Sequence, residues 1–224
     1  MRRIIILATL MLLFAGAVLS FTSQVYGQNA KKVLMIPREG YTGDLDLMLK
    51  MELGAMNLLL KRADFQVDIA TTSGFPIVGN TEKISKLSRL VDIKLDDYVG
   101  VIMVCMGVGA FPGPPVSQEA IAIAKKALAD GKPVAASTWS TTILAEGGLL
   151  KGKKYAASRD PLKTDANFKL TDLRYEGGIY SGPGVVQDGK LITSGACPWM
   201  QRAFGMPDKT VELTQTFIKE IGPK

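Results

Sequence analysis

The sequence predicts an α/β domain built on a mostly parallel β-sheet. Short apolar runs alternate with stretches in which apolar residues recur every three or four positions, as in strands connected by helices. The run at 99–105 (VGVIMVC) carries no charge and lies between two aspartates and a loop rich in glycine and proline. These features are typical of a central strand buried on both faces. No linker or composition break divides the chain after its N-terminal segment, so we expect one domain.

The elements before and after this central strand follow from the same patterns. Strands are predicted at 33–36, ending at Pro37, and at 66–71, with a helix over 47–63 between them because its apolar residues share one face. Ser117 is predicted to cap a helix that ends at Gly131. The remaining predicted elements are a strand at 133–137, a helix to about residue 146, strand segments near Tyr155, at 185–186 and at 191–193, and a last helix over 208–221.

The N-terminal segment has the layout of a secretory signal peptide. Arg2 and Arg3 precede an apolar run at 4–19, and small residues at 25–27 offer a cleavage position. We expect a signal peptide at 1–27, a mature domain at 28–224, and a periplasmic or extracellular protein. The alternative is a membrane anchor formed by uncleaved residues 4–21, although this run is short against the roughly 20 residues of a spanning helix.

Composition closes several classes of function. The 224 residues include no histidine, which excludes Ser-His and Cys-His catalytic pairs and histidine-ligated metals. Two cysteines exclude a four-cysteine zinc site and a disulfide scaffold. The net charge of +6 is scattered and no basic stripe is interleaved with aromatic residues, so we expect no nucleic-acid partner. No cofactor and no metal site is predicted.

Residues 131–144 carry a specific resemblance. Their sequence, GKPVAASTWSTTIL, resembles the strand, sharp turn and helix of the ThiJ/PfpI family, part of the class I glutamine amidotransferase-like superfamily, whose usual version is G-K-P-V-A-x-I-C-H-G-P. Residues 148–154, 97–98, 186–194 and 31–34 resemble further segments of the family. The resemblance covers 31–221 and implies a flavodoxin-like, three-layer α/β sandwich that forms homodimers.

The family's functional residues are poorly matched. The resemblance places the family's nucleophilic cysteine on Thr138 and the following histidine on Trp139, with Ser140 next, so these positions would line a ligand pocket. The family's acidic pocket residue falls on Glu52, and the paired glycines that help stabilise an oxyanion fall near Cys105. The neighbouring pocket positions are then Met106 and Gly107.

Two alternatives accompany the Glu52 alignment. Asp44 or Asp46 could take its place, since both lie in the longer segment at 41–51. That segment could be a lid over the site or only an extended surface loop.

Three residues are candidates for chemistry. Thr138 falls where the family has a strained turn with positive φ, which disfavours a β-branched residue, and Glu52 is one of the few available bases. Cys105 could supply a nucleophile displaced to the next strand, or it could be a buried, inert thiol. Cys197 follows the last strand, so a Cys105–Cys197 disulfide is one alternative in an exported protein, and two unpaired thiols are our expectation.

Three functions remain open. The leading hypothesis is an exported module that binds or senses a small molecule and lacks the family's cysteine-dependent catalysis. The second is a hydrolase or lyase acting on a small carbonyl or amide compound through Cys105 or Thr138 with Glu52. The third is a redox-responsive structural protein that uses Cys105 and Cys197.

Overall fold

The computed structural model describes residues 31–39, 45–105, 116–166 and 169–222. Lys31–Lys224 forms one compact unit. Within the described ranges, no helix is long and apolar enough to cross a membrane. The strands are β1 (Lys32–Ile36), β2 (Gln66–Thr71), β3 (Ile77–Val78), β4 (Lys83–Ile84), β5 (Ser88–Arg89), β6 (Tyr98–Met103), β7 (Val134–Ser137), β8 (Lys154–Tyr155), β9 (Ile179–Tyr180), β10 (Val185–Asp188) and β11 (Leu191–Ser194).

The first helical stretch, 45–62, changes type along its length. It begins as α1 (Leu45–Leu47), widens into a π-helical segment (Met48–Leu53) and continues as α2 (Gly54–Arg62). Such widened turns are often found at functional sites. The other helices are α3 (Gln118–Ala129), α4 (Thr141–Glu146), α5 (Pro198–Phe204) and α6 (Thr210–Ile221), and 3₁₀ turns lie at Leu90–Asp92, Leu95–Asp97, Thr138–Ser140 and Leu173–Tyr175.

Seven strands form the central sheet, in the order β10-β11-β7-β6-β1-β2-β5. Within the described chain, every neighbouring pair in this sheet is parallel except β10 and β11, which are antiparallel. The predicted α/β fold with a mostly parallel sheet is therefore confirmed.

Helices cover both faces of the sheet, as alternation along β1 illustrates. Val33 and Met35 join the core under the 45–62 stretch and α6, whereas Leu34 and Ile36 join the core under α3 and α4. Consecutive strand residues point to opposite faces, so a strand covered on both sides is apolar throughout. The result is a three-layer sandwich. A ligand site can form at the sheet edge where the parallel strands end.

The described part of the 41–51 segment, residues 45–51, forms neither the lid nor the extended surface loop that the sequence suggested. Residues 45–51 are helical rather than a lid or an extended loop, because Leu45, Met48 and Leu49 are buried in the core beneath them. Residues 41–44, and with them Asp44, lie outside the described residues. Asp46 accepts hydrogen bonds from the backbone amides of residues 80–82, so its carboxylate caps a turn away from the site.

Candidate functional site

The site lies at the edge where the parallel strands end. β7 is flanked by β6 and β11, and the chain leaves these strands through Thr138 after β7, Cys105 after β6 and Cys197 after β11. Ligands of open α/β sheets bind beyond these carboxyl ends. The π-helical segment places Glu52 against the same edge, where it reaches both β7 and the end of β6.

Glu52 is a buried acid held by two donors. The carboxyl is 1% exposed, and its Oε1 accepts hydrogen bonds from the Cys105 amide at 3.1 Å and the Ser137 hydroxyl at 2.6 Å. Burial, with a smaller contribution from the neighbouring charge of Cys197, raises the pKa of Glu52 to about 8 against the lowering effect of the two donors. Glu52 is therefore protonated at neutral pH.

Thr138 retains the sharp turn expected of the family's nucleophile position. Its φ is +49°, although a β-branched residue is strained there, and the residue is 4% exposed. Strain of this kind costs about 1–3 kcal/mol and persists only where the surroundings impose it. The Thr138 hydroxyl donates a hydrogen bond to the sulfur of Cys197. Thr138 thus supports a neighbouring thiolate.

The two cysteines are free thiols in contact. Their sulfurs and a carboxyl oxygen of Glu52 all lie within 4.8 Å of one another, and the Cys105 thiol donates a hydrogen bond to the Cys197 sulfur. Both sulfurs are buried, although Cys105 as a whole residue is partly exposed. The expectation of two unpaired thiols agrees with this structure, but their adjacency leaves disulfide formation open.

Hydrogen bonding stabilises one negative charge on this pair. Donation by Cys105, assisted by Thr138 and the backbone amides of Met200 and Trp199, lowers the pKa of Cys197 to about 6 in spite of burial. The same hydrogen bond, together with burial and the nearby Glu52, raises the pKa of Cys105. Above about pH 6 the pair therefore carries one negative charge and shares one proton, which resides on Cys105.

The other predicted positions have separate placements. Trp139 is partly buried and packs against the core under α3 and α4. The Ser140 hydroxyl donates to the Val104 carbonyl at 2.7 Å, so it ties the turn to the end of β6. Met106 and Gly107 lie outside the described residues. Glu52, Thr138 and Cys105 are brought together as the sequence analysis expects.

A small, partly open pocket of about 40 Å³ adjoins the turn. Thr138 and Trp139 contribute to its wall, together with Arg159, Asp172 and Tyr175, whereas neither cysteine lines it. Its floor is held by a hydrogen bond of 2.8 Å between the hydroxyls of Thr142 and Tyr175. The pocket therefore offers polar groups near the turn without access to the thiols.

Two features of the site, the role of Ser137 and the low pKa of Cys197, were not predicted from the sequence. Ser137 is a hydroxyl at the end of an otherwise apolar strand, which was a visible signal for a polar role at the sheet edge. The low pKa of Cys197 has a weaker signal, its position directly before Pro198 at the start of α5, where backbone amides point toward its sulfur. Its main donor, Cys105, is 92 residues away along the chain.

The fold and the turn after β7 define an α/β protein with a mostly parallel sheet and a strained turn at the carboxyl end of a central strand. The chain belongs to the DJ-1/PfpI family, whose model matches residues 32–205. An uncharacterised protein of Methanocaldococcus jannaschii is 29% identical over 206 residues, which are 92% of this chain and 94% of that protein.

Solved structures agree with this fold. A two-domain protein of Anabaena variabilis, with DJ-1/ThiJ/PfpI-like and ferritin-like domains, superposes with a TM-score of 0.62 at 18% identity over 86% of this chain. This chain spans 48%, about half, of that protein. Drosophila melanogaster DJ-1beta superposes with a TM-score of 0.54 at 22% identity, over 85% of this chain and 96% of that one. At these identities the likeness concerns the fold.

Proposed function

We propose that this protein is an exported redox sensor whose Cys105–Cys197 pair converts between dithiol and disulfide, and which lacks catalysis by a cysteine at the turn. The contact between the two sulfurs carries the proposal. The residue at the turn is Thr138, and the chain has no histidine to activate it. A pair that shares one proton at neutral pH supplies the thiolate that oxidation requires.

A hydroperoxide is the class of oxidant that this pair would meet. The Cys197 sulfur, which is the thiolate of the pair, attacks the terminal peroxide oxygen. The O–O bond breaks, Cys197 becomes a sulfenic acid and the leaving alkoxide takes the proton from Cys105. The Cys105 thiolate then attacks the sulfenic sulfur. The S–O bond breaks, and hydroxide leaves and is protonated to water, so two thiols and one hydroperoxide yield a disulfide, an alcohol and water.

Oxidation of the reduced protein with one equivalent of hydrogen peroxide tests this proposal. We expect intact mass to show the loss of two hydrogen atoms, and peptide mapping to link Cys105 to Cys197. The oxidation rate should rise through pH 6 and then level off, because the shared thiolate forms there. A wild-type protein that gains oxygen atoms without forming this link would overturn the proposal.

Matched serine variants separate the two sulfurs. Cys105→Ser retains the low-pKa sulfur of Cys197, so its oxidation should stop after the gain of one oxygen atom. Cys197→Ser retains only the Cys105 thiol, whose pKa is raised, and should oxidise at least ten times more slowly than Cys105→Ser. Thr138→Ala retains both sulfurs and should still form the disulfide. Equal rates in the two serine variants would contradict the assigned order of attack.

Export and dimer formation are further parts of the proposal. Export, with residues 1–27 removed as a signal peptide, would place the Cys105–Cys197 pair in an oxidising compartment, where disulfides persist. The N-terminal sequence of the protein recovered from a periplasmic or culture fraction tests cleavage, with Gln28 as the expected first residue. Light scattering tests the homodimer, and a monomeric mass at micromolar concentration would refute it.

A second candidate function is the binding of a small polar molecule in the pocket beside Thr138 and Trp139. The polar groups of Arg159, Asp172 and Tyr175 along its wall favour this function. A thermal-shift screen with small carbonyl, hydroxy-acid and amide compounds tests it. A genuine ligand should lose at least tenfold in affinity in Trp139→Ala, whereas Trp199→Ala, an exposed tryptophan outside the pocket wall, is the matched control.

A further inference from the structure

We propose that the reduced protein binds one thiophilic divalent cation of the Zn²⁺ type through the sulfurs of Cys105 and Cys197 and a carboxylate oxygen of Glu52. This inference uses the same two cysteines as the proposed redox function, but it does not depend on their oxidation. The sequence alone predicts no metal site, since the three ligands are far apart along the chain and no histidine is present.

The spacing of the three ligand atoms suits a small cation. All three lie within 4.8 Å of one another. Zn²⁺ binds sulfur at about 2.3 Å and carboxylate oxygen at about 2.0–2.2 Å, so tetrahedral ligands are separated by about 3.4–3.8 Å. Contraction of the largest separation by at most about 1.0–1.4 Å would therefore bring every ligand within bonding distance.

Glu52 is positioned to serve as a ligand. Among the described residues, its Oε1 accepts hydrogen bonds from the Cys105 amide and the Ser137 hydroxyl. A carboxyl oxygen of Glu52 also lies within 4.8 Å of both sulfurs, where it can bind the same cation. Outer hydrogen bonds of this kind fix the orientation of metal ligands and raise affinity. Because the Cys105 backbone is one of the donors, the same contact links two ligands of the proposed site.

The hydroxyl of Ser194 is a second, independent observation. Ser194 is fully buried, and its Oγ has no hydrogen-bond partner in the structure. It is the register partner of Ser137 on the neighbouring strand, and alternation along β7 and β11 directs both side chains to the sheet face covered by the helix of Glu52. Buried polar groups without partners are uncommon, and they point to a missing water or ion.

Charge and chemical softness select the class of cation. Two thiolates and one carboxylate carry three negative charges, which a divalent cation reduces to one. Thiolate ligands favour Zn²⁺ and similar thiophilic ions over Mg²⁺ and Ca²⁺, which prefer oxygen. Binding must displace the protons of the cluster, so uptake of the cation releases protons to the solvent. Three protein ligands leave a fourth coordination position for water.

Titration of the reduced, chelator-treated protein with Co²⁺ tests this site, because Co²⁺–thiolate charge transfer absorbs in the near ultraviolet. We expect one equivalent to bind, with a band that disappears when one equivalent of Zn²⁺ is added. Cys105→Ser and Cys197→Ser should each reduce the intensity of the band by about half and weaken affinity by at least tenfold. Binding that keeps wild-type affinity in both variants, or wild-type binding without a thiolate band, would overturn the proposal.

Glu52→Gln separates the metal site from the redox function. The variant should retain the band, lose at least tenfold in Co²⁺ affinity, and still form the Cys105–Cys197 disulfide with hydrogen peroxide. Asp92→Asn, which removes an exposed carboxylate elsewhere, is the matched control and should bind as the wild type does. Disulfide formation by a wild-type protein that binds no Co²⁺ would overturn the metal site alone. Co²⁺ binding without disulfide formation would overturn the redox function alone.

Discussion

The turn after β7 and the segment after β11 lie side by side at the sheet edge, but they distribute strain and reactivity differently. Thr138 after β7 has a φ of +49° and a hydroxyl that is a poor nucleophile. Cys197 after β11 has a φ of −131°, which is ordinary extended backbone, and a sulfur whose pKa is lowered to about 6. The strained position has no reactive side chain, and the reactive side chain has no backbone strain.

This difference shows that the strained turn is imposed by the packing around it and does not depend on a catalytic cysteine. The Ser140 hydroxyl ties the turn to β6, and the turn continues directly into α4, so the backbone is held whatever residue occupies position 138. The thiolate instead depends on hydrogen-bond donors, among them the hydroxyl of Thr138 itself. In this protein the turn serves the neighbouring thiolate.

The largest expected effect concerns the segment after β11. A Cys105–Cys197 disulfide closes a loop of roughly 90 residues, and such loops stabilise the folded state by about 4–5 kcal/mol in the chain-entropy model. Urea unfolding of the oxidised and reduced protein, both free of metal, measures this difference. Cys105→Ser should show none of it under the same oxidising treatment. An oxidised protein less stable than the reduced one would mean that the bridge distorts the site.

The next effect concerns Glu52, the buried acid that contacts both strand ends, and the pH dependence of stability. Between pH 4.5 and 8 Glu52 is protonated in the folded protein and ionised in the unfolded chain, so the free energy of unfolding falls as pH rises. Cys197 acts in the opposite direction above about pH 6, so the window from pH 4.5 to 6 isolates Glu52. Over that window the wild type should lose about 2 kcal/mol relative to Glu52→Gln.

Urea unfolding of the reduced, metal-free wild type and Glu52→Gln at several pH values measures the difference, and other carboxyls cancel in the comparison. An equal pH dependence of the free energy of unfolding in the two proteins would show that the Glu52 carboxyl is ionised in the folded protein between pH 4.5 and 6. That result would also remove the physical basis for treating it as a buried acid.

A smaller effect tests the strain at the turn after β7. Thr138→Ala keeps the positive φ but loses the hydroxyl, whereas Thr138→Gly loses the hydroxyl and also relieves the strain. Thr138→Gly should therefore be more stable than Thr138→Ala by about 1 kcal/mol, measured by urea unfolding. Equal stabilities would mean that the turn relaxes once the threonine is removed, in which case the packing does not impose it.

The smallest expected effect on stability concerns Ser137 and Ser194, the last residues of β7 and β11. Ser137 ends β7 and donates to Glu52, and its loss in Ser137→Ala should cost about 1 kcal/mol. Ser194 ends β11 with an unpartnered hydroxyl, so Ser194→Ala should change the stability of the metal-free protein by less than about 0.5 kcal/mol. A cost for Ser194→Ala as large as that for Ser137→Ala would show that its hydroxyl has a partner in solution.

Much of the fold could be predicted from local patterns. The central strand was expected at 99–105 and is Tyr98–Met103, and the helix with its cap at Ser117 is Gln118–Ala129. These elements are determined by apolar periodicity and capping, which act over a few residues. The helix predicted at 47–63 is helical over 45–62, and only its widened turn at Met48–Leu53 had no recognised sequence signal.

The sequence by itself determined the order of strands and helices, the absence of histidine chemistry, and the resemblance that placed Glu52 and Thr138 at one site. Only the tertiary structure decided how the site is charged. The pKa values of Glu52 and Cys197 depend on burial and on donors from four separate elements, and residues distant along the chain become neighbours only when the parallel strands are aligned. Electrostatic interactions depend on distances in space, and a sequence records only distances along the chain.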